Sequence, residues 1–319
     1  MRRLTTALPV LGTAAAVVWA VAASGDGQAL RPAATVAPSA YASASLAGEP
    51  PRWVPPPARP RPPPTIPRAS AIQEAEAFAR RRSGLVSLAV VDTEGRLHGL
   101  EQNRRFVSAS VVKALLMAAE LRRMARSGER LDPATESMLR AMITVSDNDA
   151  ADAAYGRVGD AGLREVARAA GMRRYAVAGH WANSQITAAD MAAFFARLHG
   201  AMPRRFRPFA LGLLGSIVPE QSWGIPAVAP PRWAVRFKGG WRDTELGWLA
   251  HQAAELRDGD RVLSIAVLTD GQPSHAYAVE TISGIATRLL DPTEPRSRAE
   301  RRTPERSPRA PLRAPRRSR

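Results

Sequence analysis

The stretch "RRFVSASVVKALLMAAELRRM" occupies residues 104–124. One lysine, Lys113, stands in a run that is otherwise apolar from Val111 to Ala119. Two serines, Ser108 and Ser110, stand where the run begins. The pattern predicts a helix that starts near Ser110 and is closed by Gly128. Ser110 and Lys113 are three residues apart, so on a helix they share one face. A serine at the start of a helix sits at the positive end of its macrodipole, with its own N–H aimed at whatever binds there. Burying the lysine lowers its pKa, because the charged form loses hydration. A neutral amine beside a serine hydroxyl can take its proton. The other reading is a lysine whose stem lies on apolar surface while its head reaches water. The spacing alone leaves both open.

Composition narrows the chemistry. The chain has 319 residues, 27 prolines and no cysteine, enough for one large domain or two small ones. Disulfides, thiolate catalysis, cysteine metal sites and a lipidated N-terminal cysteine are excluded. The five histidines (His98, His180, His199, His251 and His275) are scattered, without HxH or HxxxH spacing. No metal and no cofactor is implied. The formal charge of +16 lies largely in the tails: residues 1–70 carry seven arginines against two acids, and residues 291–319 ten against four. A basic face for nucleic acid belongs on the folded part, so nucleic acid is not the expected partner.

The ends read as separate from the middle. Residues 1–30 carry Arg2 and Arg3, an apolar segment from about Ala7 to Ala23, then small and polar residues. That is the pattern of an export signal, with Ala20-Val21-Ala22 as a cleavage site. An uncleaved anchor over residues 7–23 is the competing reading and the only expected contact with a membrane. Either way the rest is expected outside the cytoplasm, secreted or at the cell surface. Residues 31–70 include "EPPRWVPPPARPRPPPTIPR". Proline at that density favours an extended, disordered spacer. The Arg/Pro-rich tail, residues 291–319, is expected to be disordered. It either lies against anionic cell-wall polymers or is simply solvated.

Residues 71–290 read as one α/β unit. "LVSLAVVD" (85–92) and "RLHGLEQN" (96–103) are strands. "WAVRFKGGW", "LGWLAHQAAEL" and "RVLSIAVLTDG" are three more, the last two joined by a hairpin at "RDGD". Between them run helical patterns, one of them, "TAADMAAFFARLHG", capped by Thr187 with Asp190 three residues on. "HAYAVETISGIATRLL" is a closing helix. Strands at both ends and helices between predict an antiparallel sheet with a helical insert, an α+β arrangement.

Two further short motifs bear on the lysine. "VSDNDAA" places Ser146, Asp147 and Asn148 at a break between helices, and "RFKGGW" places Lys238, Gly239 and Gly240 on a strand. S-x-x-K, S-D-N and a lysine-glycine strand, in that order, resemble the signature set of class A β-lactamases and penicillin-binding proteins. The resemblance covers about residues 71–290. "FVSASVVKALLMAAEL" is similar to that superfamily's nucleophile helix, "MITVSDNDAAD" to its S-D-N segment, "ITAADMAAFFARL" to the helix after its omega loop, and "QSWGIP" to a segment before its lysine strand.

The resemblance implies a β-lactamase/transpeptidase-like fold and acyl-enzyme chemistry without a metal. Ser110 would attack a carbonyl and Lys113 would activate it. Ser146 and Lys238 would relay a proton to the leaving nitrogen, and Lys238 would also favour a substrate carboxylate. Asn148 would bond the substrate's amide side chain and help order Lys113. The backbone N–H groups of Ser110 and Trp241 would form the oxyanion hole. Gly240 would let substrate approach the strand backbone.

The chain also departs from that pattern. The omega-loop segment reads "YAVAGHWANSQ" (175–185) and has no acidic residue. Asn183 matches the family's asparagine, but the deacylating glutamate has no counterpart. His180 is either its substitute or an ordinary loop histidine. Gly239 stands where the family has a hydroxyl that helps hold a β-lactam carboxylate. Trp241 would crowd or line the cleft, and Arg242 either restores an anion site or faces solvent. Ser146 follows Ser110 by only 36 residues, which leaves the cleft more open. These features resemble a branch of exported, actinobacterial-type β-lactamase-like serine hydrolases. The expected function is an exported, monomeric serine hydrolase acting on a β-lactam or peptidoglycan-type amide, with slow deacylation. A non-catalytic module binding peptidoglycan or a partner, and a D,D-peptidase-like enzyme, are the alternatives.

Overall fold

The computed structural model describes residues 64–177 and 179–291. The signal or anchor at 1–30, the proline spacer up to residue 63 and the basic tail from 292 lie outside the described residues. The first helix, α1, runs Ala69–Ala79. Just before it, the Ile66 N–H donates to Thr93 Oγ1 at 3.0 Å. The last residues of the proline-rich stretch therefore already belong to the folded unit.

Two strands follow, β1 (Leu85–Val91) and β2 (Leu97–Leu100). Short β3 (Phe106–Val107) leads into a 3-10 turn, Ala109–Val112, and then helix α2 (Lys113–Ser127). The helical insert continues with α3 (Pro133–Thr144) and α4 (Asn148–Ala169), which breaks at Gly159. Short β4 (Gln185–Ile186) precedes α5 (Ala188–Ala196), α6 (Leu198–Ala201), α7 (Arg207–Leu214) and α8 (Ile225–Val228). The chain returns to the sheet as β5 (Ala234–Thr244), β6 (Gly247–Asp258) and β7 (Arg261–Gln272), and closes with α9 (His275–Leu290).

The sheet has five strands in the order β2-β1-β7-β6-β5, all pairs antiparallel. Strands from both ends of the unit thus meet at β1–β7, as the sequence pattern predicts. Helices α1 and α9 pack on each other and α9 on β6 and β7, while α5 packs on β1, β6 and β7. Strands β6 and β7 bury their central residues on both faces. That is the expected pattern for strands covered by helices on two sides.

Helix α2 is the axis of the insert, in contact with α3, α4 and α7. Every residue from Lys113 to Leu121 is buried. A helix apolar all round belongs inside the molecule, and its Leu, Met and Val side chains each contribute about 1.5–3 kcal/mol by leaving water. Glu120 is also buried, and it accepts from Arg123 at 2.9 and 3.0 Å and from Arg157 at 3.2 Å. Gly128 ends the helix in the left-handed conformation, φ 74°, which favours glycine. Thr187 caps α5, accepting from the Asp190 N–H.

Candidate active site

The start of α2 differs from the predicted one. Ser110 lies in the tight 3-10 turn, and the α-helix proper begins at Lys113. In a 3-10 turn residues i and i+3 eclipse, so Ser110 and Lys113 stand one above the other. The Lys113 N–H donates to Ser110 O. Ala109, just before Ser110, has φ 44°, and Ser146 has φ 60°. Two non-glycine residues in the left-handed region each carry about 1–3 kcal/mol of strain, a burden that clusters where a side chain must be aimed.

Lys113 does not reach water. It is fully buried, and its Nζ donates to Ser146 O at 2.6 Å, Asn148 Oδ1 at 2.8 Å and Asp147 O at 3.1 Å, with Ser146 Oγ at 3.4 Å. An uncompensated buried ammonium would cost several kcal/mol; here the S-D-N segment supplies the oxygens. Asp147 holds that segment in place as the N-cap of α4, accepting from the Ala150 N–H at 2.7 Å. Desolvation lowers the Lys113 pKa to about 8, against the pull of Asp147 and Asp152.

Lys238 comes from β5 and meets the same serine. Its Nζ donates to Ser146 Oγ at 3.1 Å and to Gly239 O at 3.0 Å, and it too is fully buried. Desolvation first, and then the neighbouring charge of Lys113, lower its pKa to about 7. One hydroxyl, Ser146, therefore sits between two amines separated by 125 residues of chain.

Gly240 closes the arrangement on Ser110. A Cβ at this position would lie 2.6 Å from Val111 N and 2.7 Å from Ser110 N, so only glycine lets β5 run this close to the 3-10 turn. Among the described residues strand β5 is terminal in the sheet, and its outer edge has no strand partner there. Trp241 is half-buried and Arg242 is exposed.

The family model for the β-lactamase enzyme family matches residues 132–292, half of the chain. The chain belongs to the β-lactamase enzyme family. Solved structures agree in fold. A β-lactamase from Sphaerobacter thermophilus is 21% identical at a TM-score of 0.59, over 69% of this chain and 96% of that one. A β-lactamase from Xanthomonas campestris pv. campestris is 19% identical at 0.59, over 69% and 96%. A reconstructed ancestral class A β-lactamase is 24% identical at 0.58, over 69% and 98%. No curated protein sequence matches.

Against this family frame, the segment before β4 holds what sequence reading missed. Trp181 is almost fully buried, with its ring 4.8 Å from Lys113 Nζ, and its Nε1–H donates to Asp152 Oδ1 at 2.6 Å. His180 Nδ1 accepts from the Ala182 N–H at 3.2 Å, and its Nε2 lies 3.2 Å from the same Asp152 oxygen. Both nitrogens of His180 are engaged, which leaves no free lone pair for a base. Asp152 and Trp181 carry no motif of their own; their roles rest on contacts between α4 and a loop about thirty residues away. A cavity of about 740 Å³ lined by Asp92, Arg173, Asp190 and Arg197 has none of the motif side chains in its lining. Among the described residues no helix is long and apolar enough to cross a membrane.

Proposed function

We propose that the chain is an exported serine hydrolase that forms an acyl-enzyme through Ser110 on a β-lactam or peptidoglycan-type amide and releases it slowly. The observation that carries this reading is the Ser146 hydroxyl held between the Lys113 and Lys238 amines beside the Ser110 turn. Lys113, once neutral, takes the proton of Ser110 as its Oγ bonds to the carbonyl carbon. The N–H groups of Ser110 and Trp241 receive the developing oxyanion. The C–N bond then breaks, and the proton that Lys113 took from Ser110 is relayed by Ser146 and Lys238 to the leaving nitrogen, which returns Lys113 to its neutral form. The product is an ester of Ser110, which water cleaves to regenerate the hydroxyl. Asn148 orients Lys113 and meets the substrate's amide side chain.

Slow release has its own support. No acid stands in residues 175–185, and the Trp181 indole covers one side of Lys113. Nothing in that segment supplies a general base for the second step, worth about 10²–10⁴ in rate. Export rests on the arginine-flanked apolar segment at residues 7–23, with the arginine-rich tail suited to anionic wall polymers.

The test is intact-mass spectrometry after exposure to a penicillin, followed over hours. The expected result is one added acyl mass that persists, absent in Ser110→Ala. An unmodified wild-type mass at saturating penicillin and with an amide panel would remove the hydrolase reading.

A further inference from the structure

Strand alternation puts Lys238 and Gly240 on one face of β5, and Gly239 and Trp241 on the other. The second face is aromatic. A Cβ at Gly239 would lie 3.5 Å from the Trp223 ring. Trp223 meets Trp241 at 5.8 Å and 75°, and His275 at 5.6 Å and 86°. Trp248, from β6, meets His275 at 5.6 Å, and Trp241 meets it at 6.0 Å. These four rings are only half-buried. By contrast Trp181 and Trp233, used in packing, are 3% and 4% exposed. The open aromatic surface therefore begins one residue along the strand from the glycine that touches Ser110.

The polar groups nearby offer little to an anion. Lys238 is committed to Ser146 and Gly239 O. Gly239 has no hydroxyl. His275 Nε2 has no hydrogen-bond partner among the described residues, and burial holds the ring below its ordinary pKa, hence neutral near pH 7. Arg242 is exposed, and an ion pair there is worth about 0–1 kcal/mol. Each aromatic contact offers about 0.5–1.5 kcal/mol beyond area burial, and three indoles are present. A ligand laid along the outer edge of β5 would touch the side chains that flank it on both faces.

We propose that Trp223, Trp241 and Trp248 around His275 form the specificity wall of this site, and that its substrate places an uncharged, flat apolar group there instead of a carboxylate. The proposal rests on Ser110 being the nucleophile. The test measures acylation rates of benzylpenicillin and its methyl ester by intact mass, with a fluorophosphonate as a separate reporter of serine reactivity. The expected result is fluorophosphonate labelling, with the methyl ester acylating at least as fast as the free acid. Trp241→Ala should slow both by about tenfold, while Trp241→Phe stays within about threefold of wild type. Labelling with the free acid at least about tenfold faster than the ester, the size of one good ion pair, overturns the proposal. So does an unchanged rate in Trp241→Ala. If the fluorophosphonate and both penicillins leave the wild type unmodified, the nucleophile reading fails and this one with it.

Discussion

An ammonium has three N–H groups and no lone pair. Lys113 directs its three at Ser146 O, Asn148 Oδ1 and Asp147 O. While charged it has nothing with which to accept a proton from Ser110, so the proposed mechanism requires the neutral amine. Burial brings that form within reach, with Lys113 near 8 and Lys238 near 7. Because both amines flank Ser146 Oγ, the protons leave in steps that belong to the pair. The neutral fraction grows as pH rises, so the acylation rate should climb along a limb with its midpoint between about 7 and 8. Stopped-flow acylation from pH 5.5 to 9.5 checks this, and a rate flat across that range would contradict it. Lys113→Met keeps the stem but removes the base and should lower acylation by about 10²–10⁴. It also leaves three oxygens without a donor, at about 1–3 kcal/mol each in stability, so the melting temperature must be followed alongside.

At the level of elements, β5 and the 3-10 turn are pressed together by a missing side chain. Gly240→Ala would put a methyl 2.6–2.7 Å from the backbone nitrogens of Val111 and Ser110. Backbone cannot rotate away as a side chain can. The variant should lose about 1–3 kcal/mol and most of its acylation, because the turn carrying Ser110 must move. Gly239→Ala meets only the Trp223 ring at 3.5 Å, ordinary contact, and should keep its stability within about 0.5 kcal/mol. Urea melts of the two variants read the difference, and equal midpoints would mean that the strand is not held against the turn. The elements themselves were legible because their signals are local. A valine-rich apolar run gave β1, two runs joined by the turn residues "RDGD" gave β6 and β7, and Thr187 with Asp190 gave the start of α5. The 3-10 form of the turn was not legible, since nothing in "SASVVK" separates it from an α-helical start. The three motifs were legible as short patterns, whereas Trp181, Asp152 and the tryptophan wall depend on contacts across the fold that no local pattern records.

For the whole molecule, the reading of strands at both ends with helices between gave the antiparallel sheet, but not what ties the sheet to the Ser110 turn. That tie is His251. It is fully buried in β6, opposite Gly240. Its Nε2 lies 2.9 Å from Val107 O, just before the Ser110 turn, and its Nδ1 accepts from the Thr269 N–H in β7 at 3.2 Å. With Nδ1 accepting, Nε2 must carry the hydrogen and donate, so the ring is neutral. Protonation would place a second hydrogen against the Thr269 N–H. Desolvation, opposed by the hydrogen bonds to Val107 and Ala250, lowers its pKa from 6.5 to about 4. The sign follows from proton counts: below pH 6.5 the unfolded chain takes up a proton that the folded chain refuses until about 4. Stability is therefore unaffected by this group above 6.5 and falls by about 3 kcal/mol as pH drops toward 4. His199 and His275, also held below their ordinary values by burial, act in the same direction, while the lowered pKa of Asp92 matters only below the carboxylate range. Denaturant midpoints at pH 7.5, 6, 5 and 4.5 should fall steadily, and His251→Gln should start lower and fall less. A wild-type midpoint unchanged between 7.5 and 4.5 would mean that His251 carries its charge inside the fold and that the bond from Thr269 is not made.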